Sequence, residues 1–321
     1  MFKKYKKKIL LSVSLGAVIF LAFSIYADFS NLLAAFSKFS WIWFPVVLAL
    51  SFGNYLVRFV KWQYYLGILN IKIKTYDSFL VFFSSFIMSV TPGKMGEVLK
   101  SFLLKEETGT PVSVSAPIIL AERITDFLSI VTLCSIGAVV FGYGIGIIIA
   151  TGAGFLILTL ILSSKKLSHK IIGIFHNIKF TARHTDKLYS AYDSIYVLIR
   201  FKPLLFMVIA STAAWFLECL GFYVVLNVFS EVSNVQVSVL SATFIYGFST
   251  LVGAIAMLPG GLGATEATLT GLLLLLKIPK DISVASTLII RVATLWFAVV
   301  LGFFAVQILN KRTRIDFEKF V

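Results

Sequence analysis

Charged side chains are scarce in this sequence. Only 14% of the 321 residues are Asp, Glu, Lys or Arg, whereas 59% are hydrophobic and the mean hydropathy is +0.94. A soluble domain would carry about 25% charged residues. The composition therefore excludes an ordinary soluble fold and indicates a polytopic membrane protein, in which each spanning helix needs roughly 20 apolar residues.

Cysteine and histidine are also rare, which argues against redox and metal chemistry. The two cysteines, Cys134 and Cys219, lie in separate apolar segments, and we interpret both as small buried hydrophobic side chains. The three histidines all lie between residues 165 and 202 without a cysteine or a carboxylate cluster, so we predict surface histidines. No metal and no cofactor are expected.

Acidic residues are outnumbered, with 15 Asp and Glu against 29 Lys and Arg, which gives a net charge of +14. In a soluble chain this excess would suggest nucleic acid as a partner. Here the basic residues gather near the N-terminus, at Lys72 and Lys74, in region 165–202 and at the C-terminus. The positive-inside rule then predicts a cell-membrane protein with cytoplasmic termini, whose cytoplasmic face contacts anionic lipids and not nucleic acid.

One five-residue pattern interrupts the apolar segments twice. It reads P-G-x-x-G at residues 92–96 and again at 259–263, and each copy is followed by a glutamate. Two copies in matching surroundings indicate an internal repeat. Proline and glycine should break each segment into two short helices. Broken segments are tolerated at membrane depth only inside protein or beside a water-filled cavity, and pairs of them are typical of transporter substrate sites.

The predicted fold class is all-α, a polytopic membrane protein. We predict six full spans and two re-entrant helical hairpins that enter from opposite faces and form an inverted repeat. The spans lie at about residues 9–27, 41–66, 117–141, up to 162, 204–226 and 284–309, and residues 28–40 are predicted to be a loop. The single transmembrane domain, 1–321, divides into 1–40, a first repeat 41–162, a basic amphipathic region 163–203, a second repeat 204–310 and a basic tail 311–321.

Buried charge defines the candidate site, because an ion at the bilayer centre costs several kcal/mol and is usually paired or functional. The predicted substrate-binding residues are Arg58, Gly93, Gly96, Glu97, Arg123, Asp126, Glu218, Gly260, Gly263, Glu266 and Arg291. Arginines suit a lipid phosphate, and helices beginning near Gly96 and Gly263 would point N–H groups at the same anion. The glutamates would balance the arginines, contact an amino or sugar headgroup, or carry a proton.

Structural ion pairs that lock the bundle are the alternative interpretation of these charges. The same question arises at the end of the second span. We expect Lys61 to extend along the helix to the cytoplasmic interface, whereas Arg58, a full turn deeper, is left open between that role and the site.

Several motifs in order resemble a known family. They are R-F-V-K-W at 58–62, T-P-G-K-M-G-E-V at 91–98, A-E-R-I-T-D at 121–126, Glu218, L-P-G-G-L-G-A-T-E at 258–266 and Arg291. This order resembles the lysylphosphatidylglycerol synthase transmembrane family from about Trp41 to Leu309. The family includes the flippase domain of the bacterial multiple peptide resistance factor. The resemblance implies an all-helical domain that moves a lipid between leaflets, and a stand-alone member that lacks the soluble aminoacyltransferase domain.

Three functions are weighed on these observations. The leading hypothesis is a flippase or transporter, not an enzyme, for an anionic, aminoacylated or glycosylated lipid. The second is a non-transporting partner that anchors a lipid or glycan synthase through region 165–202. The third is a membrane-embedded transferase using Glu97, Glu122 and Asp126 as base or metal ligands, which the lack of a D-x-D motif and of a metal-spaced histidine cluster disfavours.

Overall fold

A computed structural model describes residues 16, 18–91, 97–176, 185–233 and 235–313, and the regular secondary structure in those ranges is helical throughout. The α-helices are α1 Val18–Ala27, α2 Phe29–Lys38, α3 Phe44–Ile68, α4 Thr75–Ser84, α5 Leu99–Thr108, α6 Val112–Ser115, α7 Pro117–Phe141, α8 Ile145–Ser163, α9 Lys165–His176, α10 Thr185–Leu198, α11 Phe201–Val228, α12 Ser230–Ser233, α13 Val239–Ile255, α14 Ala264–Leu275, α15 Lys280–Arg291 and α16 Phe297–Thr313. Short 3-10 turns lie at Trp41–Trp43, Ser85–Met88 and Pro259–Gly261, and a π-helical segment, Val292–Trp296, joins α15 to α16. The all-α prediction is confirmed.

Five stretches of the described chain are long and apolar enough to cross a membrane. They are Trp41–Ile68, Val112–Phe141, Ile145–Ser163, Phe201–Val228 and Lys280–Arg312. The count is six if α1 and α2, which meet at a bend of 93°, form one span. The five stretches agree with five predicted spans to within a few residues at most ends, and the protein is a multi-pass membrane protein.

Residues 28–40, predicted to be a loop, instead contain α2, so that prediction was wrong. The carboxylate of Asp28 caps α2 by accepting a hydrogen bond from the backbone N–H of Ser30 at 3.1 Å. The helix buries Leu32 and Ala35 and leaves most of its other side chains exposed. An amphipathic helix of this length is stable because its apolar face packs on the protein. It lacks the apolar length of a full span, so span length alone does not predict it.

Three long helices, α3, α7 and α11, form the centre of the molecule, and α11 packs along both of the others. Polar side chains tie them together. The amide of Asn54 donates to the carbonyl of Ala214 at 2.7 Å, and the hydroxyl of Ser129 donates to the carbonyl of Val208 at 2.9 Å. Such bonds satisfy buried polar groups that would otherwise cost free energy in an apolar interior.

The two P-G-x-x-G motifs interrupt two pairs of short helices, which we name the first broken pair, α4 with α5, and the second broken pair, α13 with α14. The helices of each pair pack against each other. The first pair packs through α4 against α16, and the second packs through α13 against α7. Each broken pair therefore contacts the long helix that follows the other one, so the two halves of the chain exchange partners reciprocally.

The second motif lies next to the end of the first broken pair's leading helix. A Cβ atom built on Gly260 would lie 3.4 Å from Cγ1 of Val90, two residues before the first motif, and 3.3 Å from a methyl group of Leu295. Gly260 itself has a left-handed backbone, with φ of 62°, which glycine adopts without strain. Residues 92–96 lie outside the described ranges, but the contact through Val90 supports the predicted proximity of the two motifs.

Gly302 of α16 permits the close approach of that helix to the first broken pair. A Cβ on Gly302 would lie 2.3 Å from the backbone nitrogen of Ile87 and 2.8 Å from the carbonyl carbon of Phe86. We expect Gly302→Ala to lower the free energy of unfolding by about 1–3 kcal/mol, because backbone atoms must move to admit the methyl group. Thermal unfolding in detergent measures this. Gly154→Ala in α8, where nothing lies within 4 Å, is the matched control, and equal stability of the two variants would contradict the prediction.

Candidate functional site

Asp126 of α7 is the centre of a buried ion cluster. Its Oδ1 accepts hydrogen bonds from Nζ of Lys61 and from the hydroxyl of Ser211, both at 3.0 Å. Its Oδ2 lies 3.1 Å from Nη2 of Arg58 and 3.3 Å from Nη2 of Arg123. One carboxylate on α7 therefore faces three cations from α3 and α7 and a hydroxyl from α11.

The chain just after the first motif adds two further ion pairs to this cluster. Glu97 Oε2 lies 3.0 Å from Nη2 of Arg123. Nζ of Lys100 forms a short ion pair with Glu122 and lies 4.9 Å from the ring centroid of Trp62, so its charge contacts both a carboxylate and an aromatic face. The first motif thus leads directly into the cluster, and α5 is joined to α7 by opposite charges.

These side chains line a cleft of about 310 Å³, a volume that includes its open mouth. The lining residues are Arg58, Lys61, Phe82, Ser85, Phe86, Glu97, Lys100, Glu122, Arg123 and Asp126. Four of them are cationic and three are carboxylates, so the ionised lining has a net positive charge. We name this space the charged cleft.

The charged cleft has an accessible layer and a buried layer. The side chains of Arg58, Glu97 and Arg123 are 16%, 15% and 18% exposed. Those of Lys61 and Asp126 below them are 1% and 3% exposed. A molecule entering the charged cleft would therefore meet the two arginines and Glu97 first, while the inner pairs hold α3 and α7 together.

The two arginines of the accessible layer differ in how their guanidinium groups are held. Nε of Arg123 is buried and has no hydrogen-bond partner among the residues that the structure describes. The guanidinium of Arg58 lies over the ring of Trp215, with Cζ 4.7 Å from its centroid, which fixes the plane of the group. A planar cation held in this way suits bidentate contact with a phosphate or carboxylate.

The cluster lies deep along its helices. Arg58 is ten residues before the end of α3, and Asp126 is nine residues after the start of α7. At 1.5 Å per residue these positions are each about 14–15 Å from the helix end. The charged cleft is therefore formed by the middle parts of two helices of 25 residues each.

The second motif carries a separate ion pair, in which most of the hydrogen-bond donors and acceptors are bonded to each other. Nε of Arg291 donates to Oε1 of Glu266 at 2.6 Å, and its Nη2 donates to the carbonyl of Gly260 at 2.7 Å. The other oxygen of Glu266 accepts from the backbone N–H of Gly263 at 2.7 Å, and Glu266 is fully buried. We name this group the motif lock. The N–H of Gly263, expected to point at an anion, is occupied by Glu266 instead.

Glu218 of α11 is a buried acid outside both the charged cleft and the motif lock. Its Oε2 accepts a hydrogen bond from the hydroxyl of Tyr246 at 2.7 Å, and both side chains are buried. The Glu218–Tyr246 hydrogen bond therefore joins α11 to α13.

The structure divides the predicted site residues into groups. Arg58, Glu97, Arg123 and Asp126 line the charged cleft, Gly260, Gly263, Glu266 and Arg291 form the motif lock, Glu218 bonds to Tyr246, and Gly93 and Gly96 lie outside the described residues. Contact with a substrate stays a prediction for all of them. Both sequence interpretations of the buried charges, a cavity and a structural ion pair, thus have a counterpart in the fold.

The predicted substrate-binding set omitted three charged residues of the charged cleft, Lys61, Lys100 and Glu122, of which Glu122 was named only for the transferase alternative. It also omitted the uncharged lining residues Phe82, Ser85 and Phe86. The expectation that Lys61 extends to the interface was wrong, because the residue is 1% exposed and bonds to Asp126. A signal was available. Lys61 follows Arg58 by three residues and Lys100 follows Glu97 by three, so each pair shares a helix face.

The cysteines and histidines lie away from the charged cleft. Cys134 and Cys219 are buried free thiols, as predicted. His169 is exposed, as predicted for a surface histidine, with its ring edge-on to Tyr189 and Tyr192 at 5.4 and 5.3 Å. The side chains of the other two histidines are outside the described part. Across the residues searched, no group of three or more His, Cys, Asp or Glu side chains is placed to hold a metal ion.

Comparison with known proteins supports one family. A family model described as the lysylphosphatidylglycerol synthase transmembrane region matches residues 9–302. Two UPF0104 membrane proteins of Methanothermobacter thermautotrophicus are similar, one 23% identical over 311 residues with 90% of each chain covered, the other 24% identical over 342 residues with 94% of this chain and 93% of the relative. A UPF0104 membrane protein of Methanocaldococcus jannaschii is 25% identical over 227 residues, 67% of this chain and 90% of the relative. This chain belongs to the lysylphosphatidylglycerol synthase transmembrane family.

Proposed function

We propose that the protein is a lipid transporter, a flippase in which the charged cleft shelters a lipid headgroup near the middle of the membrane. The observation that carries the proposal is the accessible arginine layer, in which Arg58 and Arg123 line the charged cleft with side chains that are 16% and 18% exposed. A phosphate group bound there would replace water with charge-assisted hydrogen bonds. The cost of moving a headgroup through hydrocarbon would fall accordingly.

Asp126 and Glu97 give the empty site its own counter-ions. Arg123 lies within ion-pair distance of both carboxylates, and Arg58 of Asp126. An arriving phosphate would replace these carboxylates as the ion-pair partner of the arginines. The arginines would therefore keep a counter-ion throughout. Glu97, 15% exposed, is then free to contact an amino or sugar group of the same lipid. The substrate class is therefore an anionic, aminoacylated or glycosylated lipid.

The broken helix pairs supply the part of the fold that rearranges. Val90, Gly260 and Leu295 meet where the two broken pairs and the π-helical segment come together. Helix breaks and π-helical segments rearrange at lower cost than continuous helices and are frequent at functional sites. The reciprocal packing of each broken pair on the long helix after the other supports an inverted repeat with two oppositely oriented re-entrant hairpins. The basic residues near both termini support cytoplasmic termini, and a sixth span needs α1 and α2 to cross together.

The carboxylates of the charged cleft are paired with cations. The carboxylates that a transferase would use, Glu97, Glu122 and Asp126, are each engaged with a cation from Arg123, Lys100 or Lys61. A general base needs free access to the proton it removes. We therefore propose that these residues hold the site and the headgroup, and that the protein is not an enzyme.

Transport is tested by reconstituting the full chain in vesicles with fluorescent anionic, lysylated and glycosylated lipids and following their loss to an external quencher. We expect Arg58→Gln and Arg123→Gln to slow movement of the preferred lipid by roughly tenfold or more, because each removes a charge-assisted contact worth about 1.5–3 kcal/mol. Arg123→Lys should recover only part of the rate, since lysine keeps the charge but loses the planar set of donors.

Arg312→Gln is the matched control. Arg312 is an arginine paired with Asp77 at 3.4 Å and 48% exposed, outside the charged cleft. It should leave transport unchanged. Equal rates in all variants would refute the site, and a folded wild-type protein that moves no lipid would instead favour the non-transporting partner.

A further inference from the structure

The connection between α8 and α11 lies at one membrane surface. Both helices are long and apolar enough to span, whereas α9 has 12 residues and α10 has 14. Neither is long enough to cross, since a span needs about 20 residues. Lys165, two residues after α8 ends, and Arg200, one residue before α11 begins, therefore lie at the same boundary between hydrocarbon and headgroups.

Lys165 and Arg200 converge on one aromatic ring. Nζ of Lys165 lies 4.8 Å from the ring centroid of Tyr196, and Cζ of Arg200 lies 5.4 Å from it. Both cationic side chains are exposed, and Tyr196 is partly buried. The ring thus gathers two positive charges that come from opposite ends of the α8–α11 connection.

Neither charge is neutralised inside the described part of the protein. The ion pairs formed by the described residues involve other side chains. Asp193, three residues before Tyr196, pairs with neither Lys165 nor Arg200 in those ranges. Two like charges held on one ring repel each other, so an anion that contacts both would be bound favourably.

The surroundings identify the chemistry of that anion. Lys166 and Lys202 are exposed on either side and add positive charge. Leu167 and Phe201 are 42% and 78% exposed, which offers apolar surface next to the cations. Basic side chains combined with exposed apolar ones are typical of a segment that lies in a membrane interface. A free inorganic anion would use only the charges, whereas a lipid uses both.

We propose that Lys165 and Arg200, both in contact with the ring of Tyr196, bind the phosphate of an anionic phospholipid in the leaflet next to α9 and α10. We name this the interfacial lipid site. It consists of residues outside the charged cleft, so it does not depend on headgroup transport. A bound lipid there would fix the ends of α8 and α11 relative to each other.

Native mass spectrometry of the full chain in detergent tests the interfacial lipid site. The protein is mixed with equal amounts of phosphatidylglycerol and phosphatidylcholine, and the ratio of retained anionic to zwitterionic lipid is measured. Lys165→Gln with Arg200→Gln should reduce the ratio by about tenfold or more, because both basic side chains at the anionic surface then become neutral. The charge-retaining pair Lys165→Arg with Arg200→Lys should keep it.

The control removes two charges elsewhere. Lys280 lies 3.9 Å from the ring centroid of Tyr26, a single cation on a tyrosine, and Lys38 is exposed at the end of α2. Lys38→Gln with Lys280→Gln should leave the ratio unchanged, and an equal drop in both double variants would overturn the site in favour of a general charge effect. Displacement of the lipid by inorganic phosphate at the same concentration would overturn the assignment to a lipid.

Discussion

Replacing Arg291 with methionine is expected to lower the free energy of unfolding by about 3–5 kcal/mol, because it leaves the fully buried carboxylate of Glu266 without its cation. The same change frees the carbonyl of Gly260, to which Arg291 donates at 2.7 Å. Thermal unfolding in detergent, followed by the fluorescence of the five tryptophans, measures the effect. A wild-type melting temperature for Arg291→Met would contradict the motif lock.

A double variant separates a structural role of the motif lock from a role in binding. Arg291→Met with Glu266→Leu removes both charges and should regain much of the stability that Arg291→Met loses, since a buried ion pair contributes little beyond an apolar pair of similar size. If the motif lock is structural, this double variant also transports lipid at close to the wild-type rate. A stable double variant without transport would place Arg291 in the substrate site instead.

Replacing Asp126 with asparagine is expected to abolish transport and to cost about 3–5 kcal/mol of stability, because three cations then face one another without their common carboxylate. Lys61 is the most affected, since its side chain is only 1% exposed and its ammonium group has little access to water. Asparagine keeps the size of the side chain, so the effect isolates the charge. Unfolding and vesicle transport are measured on the same preparation.

Ser211→Ala is the graded control for that experiment. It removes one neutral donor to Asp126 and keeps every charge, so it should cost only about 0.5–1.5 kcal/mol. A second comparison is Lys61→Met with Asp126→Asn, which removes the most deeply buried cation and should regain part of the stability. Equal stability of Asp126→Asn and wild type would contradict the role of Asp126 as the common counter-ion.

The spans and the ends of the helices follow from local sequence. Pro117 opens α7 and Gly142, with φ of 71°, closes it, and both ends match the prediction. Apolar length decides the rest, because a segment of about 20 apolar residues has no stable alternative in a bilayer. The α2 helix was missed for the same reason. It is short and is stabilised by packing of Leu32 and Ala35, which depends on a distant part of the chain.

The candidate site was predictable in part. Arg58, Glu97, Arg123 and Asp126 stood out as charges in apolar segments, and the fold brings all four into one cleft. The prediction for Lys61 was wrong because a lysine near a helix end reaches the membrane interface in many spans. In this fold Asp126, on a neighbouring helix, supplies the counter-ion that stabilises the buried ammonium group of Lys61. The residues around Lys61 in the sequence do not show on which face of α3 its ion-pair partner lies.

The sequence by itself determined that this is an all-helical membrane protein with two broken segments. It also placed charged side chains in apolar segments, where they form the charged cleft and the motif lock. Tertiary structure alone decided how those charges are shared. The pair Glu266 and Arg291 is closed because the backbone of the second motif folds back on it, whereas the charges after the first motif line an open cleft. The physical reason is that an ion's role depends on the solvation and the partners left to it, and both are set by helices far apart in the chain.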